Sequence, residues 1–440
     1  MRTRGGRTVC GALFFYASLI LFLFPLNAIA SGEYSFDVEA FESKPFEWGG
    51  YAEAKFEHFQ LNTDSAFYRL NFHKDPCSTL NRLTGALQLE GSYRKGIAAF
   101  NAVLRAEAVQ DDIDWSDSAD VYEANLSLKS TPFVTADIGK KVFKWGKGYA
   151  WNPVGFIDRP KDPNNPEEAL EGYYAAGVDL IKSLNSPLQT VALTTVALPV
   201  WKDVNEDFGV LNHVNLAAKF YMLYRNTDID LVFFSGGSRS TRYGIDFSRN
   251  IAENFEIHGE FAYLTDIKKT NISENGMLIQ KEHTTNRYLL GLRYLTESDI
   301  TTIIEYYHNG AGFSEWELER FYRLVDDANA QWLNTGADTL FQNAKNISNM
   351  GYGSPQVGRN YLYLKINQRD PFDILYFTPG AIAIVNLDDQ SYSISPEMLY
   401  TGFTNWEIRL RYTALGGDDF TEFHEKQYRN KIELRVRYYF

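Results

Sequence analysis

The feature that most constrains this chain is a two-residue alternation of apolar and polar side chains, sustained in segment after segment. The last segment shows it plainly. Ile432, Leu434, Val436, Tyr438 and Phe440 take every second place, and Lys431, Glu433, Arg435 and Arg437 take the places between. Successive strand side chains point to opposite faces, so such a segment is a strand with one apolar and one charged face. Leu83, Leu87 and Leu89 alternate in the same way with Arg82, Gln88 and Glu90. Tyr288, Leu290, Leu292 and Tyr294 oppose Arg287 and Arg293, and Trp406, Ile408, Leu410 and Tyr412 oppose Glu407, Arg409 and Arg411. The segments run for roughly 10–13 residues, enough for a tilted strand to cross a bilayer and longer than strands of soluble sheets. Aromatic residues stand near both ends of the apolar faces with aliphatics between them, as interfacial girdles require.

The connections add a second regularity. Eighteen strands are expected, at about 47–59, 80–94, 96–109, 119–130, 133–144, 172–184, 188–200, 212–225, 227–235, 240–250, 253–264, 285–296, 298–309, 358–368, 373–386, 390–401, 405–414 and 428–440. Connections after even-numbered strands are brief. Several after odd-numbered strands are long: 60–79, 145–171, 265–284, 310–357 and 415–427. Short turns on one side and long loops on the other predict an all-β, up-and-down antiparallel transmembrane barrel of about 18 strands, with 16 as the alternative. The short turns would be periplasmic and the long loops extracellular.

The terminal Phe440, with Tyr438 and Val436 upstream at alternate places, resembles the closing strand of bacterial outer-membrane β-barrels. That resemblance implies that these three residues are read by the barrel assembly machinery. A strand closed by Gly139 to Phe143, then Trp145-Gly146 opening a loop that holds Asn152-Pro153, resembles porin-like barrels of Gram-negative bacteria. The proline-rich loop that follows is expected to be an ordered lid or constriction, since proline fixes φ.

At the other end, Arg2, Arg4 and Arg7 precede an apolar run from Val9 to Leu26, and Ala28-Ile29-Ala30 offers small residues for cleavage before Ser31. This predicts a cleaved secretory signal over 1–30 and a single barrel domain over 31–440. Removing the leader takes three of the 43 basic residues and no acid, leaving 40 against 56. Such an excess of acid argues against a nucleic-acid partner, which needs concentrated positive charge. Cys77 is the only cysteine beyond the leader, so no internal disulfide framework is expected.

No catalytic or metal-ligand constellation stands out. The seven histidines are scattered, and none lies at metal-ligand spacing from another histidine or a cysteine. No cofactor is expected. Arg82, Arg105, Glu107, Lys141, Lys219, Glu260, Arg293, Arg409, Arg411, Arg435 and Arg437 share the polar parity of their strands, which makes them candidate lining residues of a hydrated lumen. Arg409, Arg411, Arg435 and Arg437 are expected to form a basic wall, partly offset by Glu407 and Glu433. In the longest loop, Ser314 and Glu317 fit a capping box. Leu318, Phe321, Tyr322 and Val325 recur at helical spacing, with Trp316 just before them, and Leu340 and Phe341 begin a second apolar face. A helical lid over 310–357 is expected, either beside the pore or folded over its mouth. These features predict a passive channel for small polar or charged solutes, set in outer-membrane lipid and lipopolysaccharide. A homo-oligomer is left open. The alternatives are a barrel that sheathes a partner such as a cytochrome and, further off, a barrel enzyme.

Overall fold

The computed structural model describes residues 45–440 except 169 and 274–276. The leader and cleavage site expected over 1–30 lie outside the described residues. The first nine strands are β1 (Phe46–Leu61), β2 (Thr79–Lys95), β3 (Ala98–Asp111), β4 (Trp115–Thr131), β5 (Val134–Lys141), β6 (Tyr173–Ser183), β7 (Leu188–Val200), β8 (His213–Tyr224) and β9 (Thr227–Ser235). The other nine are β10 (Arg242–Ala252), β11 (Phe255–Ile272), β12 (Leu278–Leu295), β13 (Ile300–Asn309), β14 (Asn360–Gln368), β15 (Phe377–Asn386), β16 (Tyr392–Tyr400), β17 (Trp406–Gly416) and β18 (Tyr428–Tyr439). Each pairs antiparallel with its sequence neighbours, and β1 pairs with β18 as well as β2. The sheet is therefore a closed 18-stranded up-and-down barrel, and closure leaves no strand edge unpaired.

The terminal residue takes part in the closure. Gly50 and Phe440 exchange backbone hydrogen bonds of 3.1 and 3.2 Å, and the Trp48 ring lies 6.0 Å from that of Phe440. Along β18, Ile432, Leu434 and Tyr438 face outward and exposed while Glu433 and Arg435 face inward and are buried. The same division holds on β2, where Leu83, Leu87 and Leu89 are exposed and Thr84, Ala86 and Gln88 are buried. On these strands the outer face is thus apolar and the inner face polar, while elsewhere inside the barrel inward Val196, Leu198 and Phe234 form an apolar cluster with Trp145, Val154 and Phe156. The apolar outer face matches a barrel whose outside is solvated by lipid.

Two expectations need correction. The long loop predicted over 265–284 is mostly strand, because the β11–β12 ladder resumes after a bulge and runs to Ile272↔Leu278. Lys268, Lys269, Gln280, Lys281 and Glu282 are polar on both faces there, so a backbone ladder holds the hairpin without any apolar alternation. The strand predicted from 373 begins at Phe377. Pro379 lies just beyond the end of the β14 ladder, which reaches Gly380, and pairs only with Met398 of β16.

The long-loop end is capped. α1 (Ala66–Phe72), α2 (Glu315–Thr335) and α3 (Thr339–Ile347) share one apolar cluster with Ile272 at the tip of β11. Ser314 and Glu317 form the expected capping box, and Gly336, at φ +71°, ends α2. Leu318, Phe321, Tyr322, Val325 and Phe341 are buried in the cluster, and Leu340 packs against it. Trp316 departs from them: it is 54% exposed on the outer side, under the Arg320 guanidinium. α1 follows β1 and α2 follows β13, while β1 stands eight strands from β11 around the ring. A cluster joining those elements crosses the mouth rather than standing beside it. α1 itself was missed in the sequence, because seven residues are too few to show a helical period.

Candidate functional site

The segment between β5 and β6, residues 142–172, folds into the barrel. Its contacts settle this, because they reach inward-facing residues all around the ring. Glu168 meets Arg105 on β3 at 3.6 Å, and Lys147 meets Asp230 on β9 at 2.9 Å. Glu167 meets Lys365 on β14 at 3.0 Å, and Asn165 accepts from Arg411 on β17 at 2.9 Å. Only a segment lying across the lumen touches strands so far apart.

Two wall carboxylates hold it there. Glu260 on β11 accepts from the backbone N–H groups of Lys147, Gly148 and Val154 at 2.5, 2.6 and 3.0 Å. Glu305 on β13 accepts from Tyr149 and Ala150 at 2.5 and 2.8 Å, and its other partner is His258 at 2.8 Å. Gly146 and Gly148 permit this approach. A Cβ on Gly146, at φ +101°, would stand 2.7 Å from the Glu260 carboxylate, and one on Gly148 would stand 2.1 Å from the Trp151 carbonyl. The glycine pair therefore cradles a carboxylate of the protein's own wall. Asp158 accepts from the N–H groups of Phe143, Lys144 and Trp145, yet burial still pushes its carboxyl up.

The infolded segment has a chamber on each side. Toward the short-turn end lies a cavity of 350 Å³, between Asn164–Glu168 and a wall that includes Lys365, Glu397, Arg409, Arg411, Arg435 and Arg437. Toward the cap lies one of 510 Å³, bounded by residues 151–161, the tops of β10–β13, and residues 350–357 below the helices.

The wall over β17, β18 and β1 is not the basic surface expected. Arg409 pairs with Glu433 at 3.0 Å, Arg411 with Glu397 at 2.5 Å, Arg435 with Glu407 at 2.7 Å and Arg437 with Glu53 at 2.6 Å. Lys431 sits between Glu57 and Glu433 at 2.8 and 3.1 Å. Each cation has a carboxylate, so the wall is a mixed ladder close to neutral. β1 and β16 supply Glu53, Glu57 and Glu397, and their nearness to β17 and β18 follows from barrel closure and strand neighbours.

The other residues singled out from parity all point inward, but they are dispersed. Arg82 meets Asp111 at 3.5 Å near the long-loop end, and Arg105 holds Glu107 at 2.8 Å. Lys141 pairs with Asp137 at 2.6 Å, Lys219 lies 5.9 Å from the Trp145 ring, and Arg293 donates to the Tyr149 hydroxyl at 3.3 Å. Parity reasoning missed Lys147, Asp230, Asp246, Arg239, Arg242 and Lys365. Arg242 and Asp246 do carry the signal, alternating with Tyr243, Ile245 and Phe247. Lys147 and Arg239 are on loops, where no alternation exists. Among the described residues no group of histidine, cysteine, aspartate and glutamate is arranged to hold a metal.

The chain matches no known family model and no curated protein. Among solved structures it resembles the porin of Rhodopseudomonas blastica, in a triple mutant, at 11% identity and a TM-score of 0.44. That likeness covers 90% of this chain and 100% of the porin. It also resembles OccK5 (OpdH) of Pseudomonas aeruginosa at 11% identity and a TM-score of 0.49, over 89% of this chain and 98% of the other.

Proposed function

We propose that this protein is an outer-membrane channel for passive diffusion of small polar or charged solutes, exported by a leader over residues 1–30. The observation that carries the reading is the infolded segment 142–172. It is pinned to charged wall residues and leaves a chamber with charged lining residues on either face. A barrel of 18 strands is wide enough for an aqueous channel, and a loop across its waist sets the size of what passes. Arg82, Arg105, Glu107, Lys141, Lys219, Glu260, Arg293, Arg409, Arg411, Arg435 and Arg437 serve as lining on this reading. Glu260 has the added part of anchoring the constriction. Phe440, Tyr438 and Val436 present the closing strand to the assembly machinery, and the outer apolar face meets lipid and lipopolysaccharide.

Permeation on this reading needs no bond chemistry. A sheath around a cytochrome is disfavoured, because the chain's own segment already occupies the lumen. Planar-bilayer recording of the purified full-length protein tests the proposal. Discrete, voltage-independent conductance steps at neutral pH are the expected result, and a folded protein that leaves the bilayer insulating would overturn it.

A further inference from the structure

Among the described residues that line it, the chamber under the cap carries more cations than carboxylates. Most inward cations have a carboxylate within 4 Å, as along the β17–β18 ladder. Arg242 and Arg287 have none among the described residues, and the buried Nε of each lacks a hydrogen-bond partner. Arg242 has only the rings of Phe156 and Phe234, each at 5.9 Å. Both residues flank β11, where Ala262 and Leu264 stand between them, and a small side chain there leaves the guanidiniums free to converge.

Arg239 joins them from the β9–β10 loop. Its Nε and Nη1 donate to the carbonyls of Phe208 and Phe156, and its guanidinium lies flat on Phe208 at 3.7 Å. Among the described residues the only carboxylate bordering the chamber is Asp158, and its oxygens are committed to the three backbone N–H groups named above. Other polar atoms on the same cavity are also unsatisfied: Nε1 of Trp151 and Oδ1 of Asn309. A half-buried guanidinium without a counter-ion is costly, and a planar donor fork matches a carboxylate or phosphate.

We propose that Arg239, Arg242 and Arg287 form a binding site for the carboxylate or phosphate group of a small organic anion in the chamber under the cap. Trp151, stacked on Tyr307 at 4.9 Å, borders the same chamber and supplies an aromatic surface for the body of the solute. The inference rests on the channel reading for its meaning, since it names the solute class that this chamber would collect. The site itself stands on the unpaired arginines.

Benzoate and inorganic phosphate are the probes, titrated into purified full-length protein by calorimetry and, separately, into the chamber on the cap side during single-channel recording. Saturable binding and saturable block by at least one probe are expected. Tighter benzoate identifies a carboxylate with a ring, and tighter phosphate identifies a phosphoryl group. The double variant Arg242→Gln/Arg287→Gln should weaken binding by about tenfold or more, whereas Arg94→Gln, an exposed arginine on β2 away from both chambers, should leave it unchanged. Arg242→Lys/Arg287→Lys keeps the charge without the fork and should fall between. Linear, non-saturating responses to both probes in the wild-type protein, or equal binding in the double glutamine variant, would overturn the site. Absent conductance with intact calorimetric binding would remove the channel reading and leave the site standing.

Discussion

The hold of Glu260 and Glu305 on the infolded segment sets the width of the lumen, and Glu260→Ala with Glu305→Ala tests it. The two carboxylates accept five backbone hydrogen bonds at 2.5–3.0 Å. A hydrogen bond to a charged group contributes about 1.5–3 kcal/mol, so the gross loss is on the order of 10 kcal/mol. Most of it is recovered, because the freed N–H groups gain water in a wet lumen and bridging waters are nearly as good. A net loosening of about 3 kcal/mol is expected, which raises the released population on the order of a hundredfold. The barrel itself should persist, since none of the five bonds belongs to its ladder. Spin labels placed at Asn164 and at Thr378 on β15 would report the motion, and single-channel recording its effect. The expected result is a broadened distance distribution and a higher, noisier conductance. A folded double variant with the native distance and native conductance would show that the segment is held elsewhere and that the anchors are incidental.

The remaining tests address the wall, the cap and the outer face. Replacing Arg409, Arg411, Arg435 and Arg437 with Gln leaves Glu53, Glu397, Glu407 and Glu433 without their arginine partners, so reversal potentials in a salt gradient should shift strongly toward cations. Replacing residues 312–354 with a short Gly-Ser linker should leave a folded barrel with larger conductance, because the helices cross the mouth; equal conductance would refute that placement. Burial pushes the Glu317 carboxyl up, but Lys269 at 2.7 Å, the Ser314 N–H and Arg359 together hold it below its ordinary value. Its contribution to the cap is therefore present above the ordinary glutamate range and lost as pH falls through the lowered folded value. Hydrogen exchange in α2 should accelerate in acid, and Glu317→Gln should remove that dependence. Val436→Arg, a cation on the lipid face, should destabilise the barrel by ~2–4 kcal/mol, while Lys219→Gln on the inner face should cost less than about 1 kcal/mol.

Much of this architecture is written in local pattern. A strand's two faces are set by the order of its side chains, so alternation such as Leu434-Arg435-Val436-Arg437 declares outside and inside without knowledge of any partner. Loop lengths declare the up-and-down order by the same local means, although the segments at 188–200 and 373–386 are apolar on both faces and show no alternation. The Ser314–Glu317 capping box is equally local, since its atoms lie within one turn. Partnership across the barrel is another matter. That Glu53 on the first strand neutralises Arg437 on the last depends on closure, and that Glu260 grips Gly148 depends on a loop more than a hundred residues away turning inward. Parity marks a charge as inward but is silent on which charge will face it. The near-neutral ladder, the infolded segment and the unpaired Arg242 and Arg287 were therefore decided only by the tertiary structure, where distances between residues remote in sequence first take values.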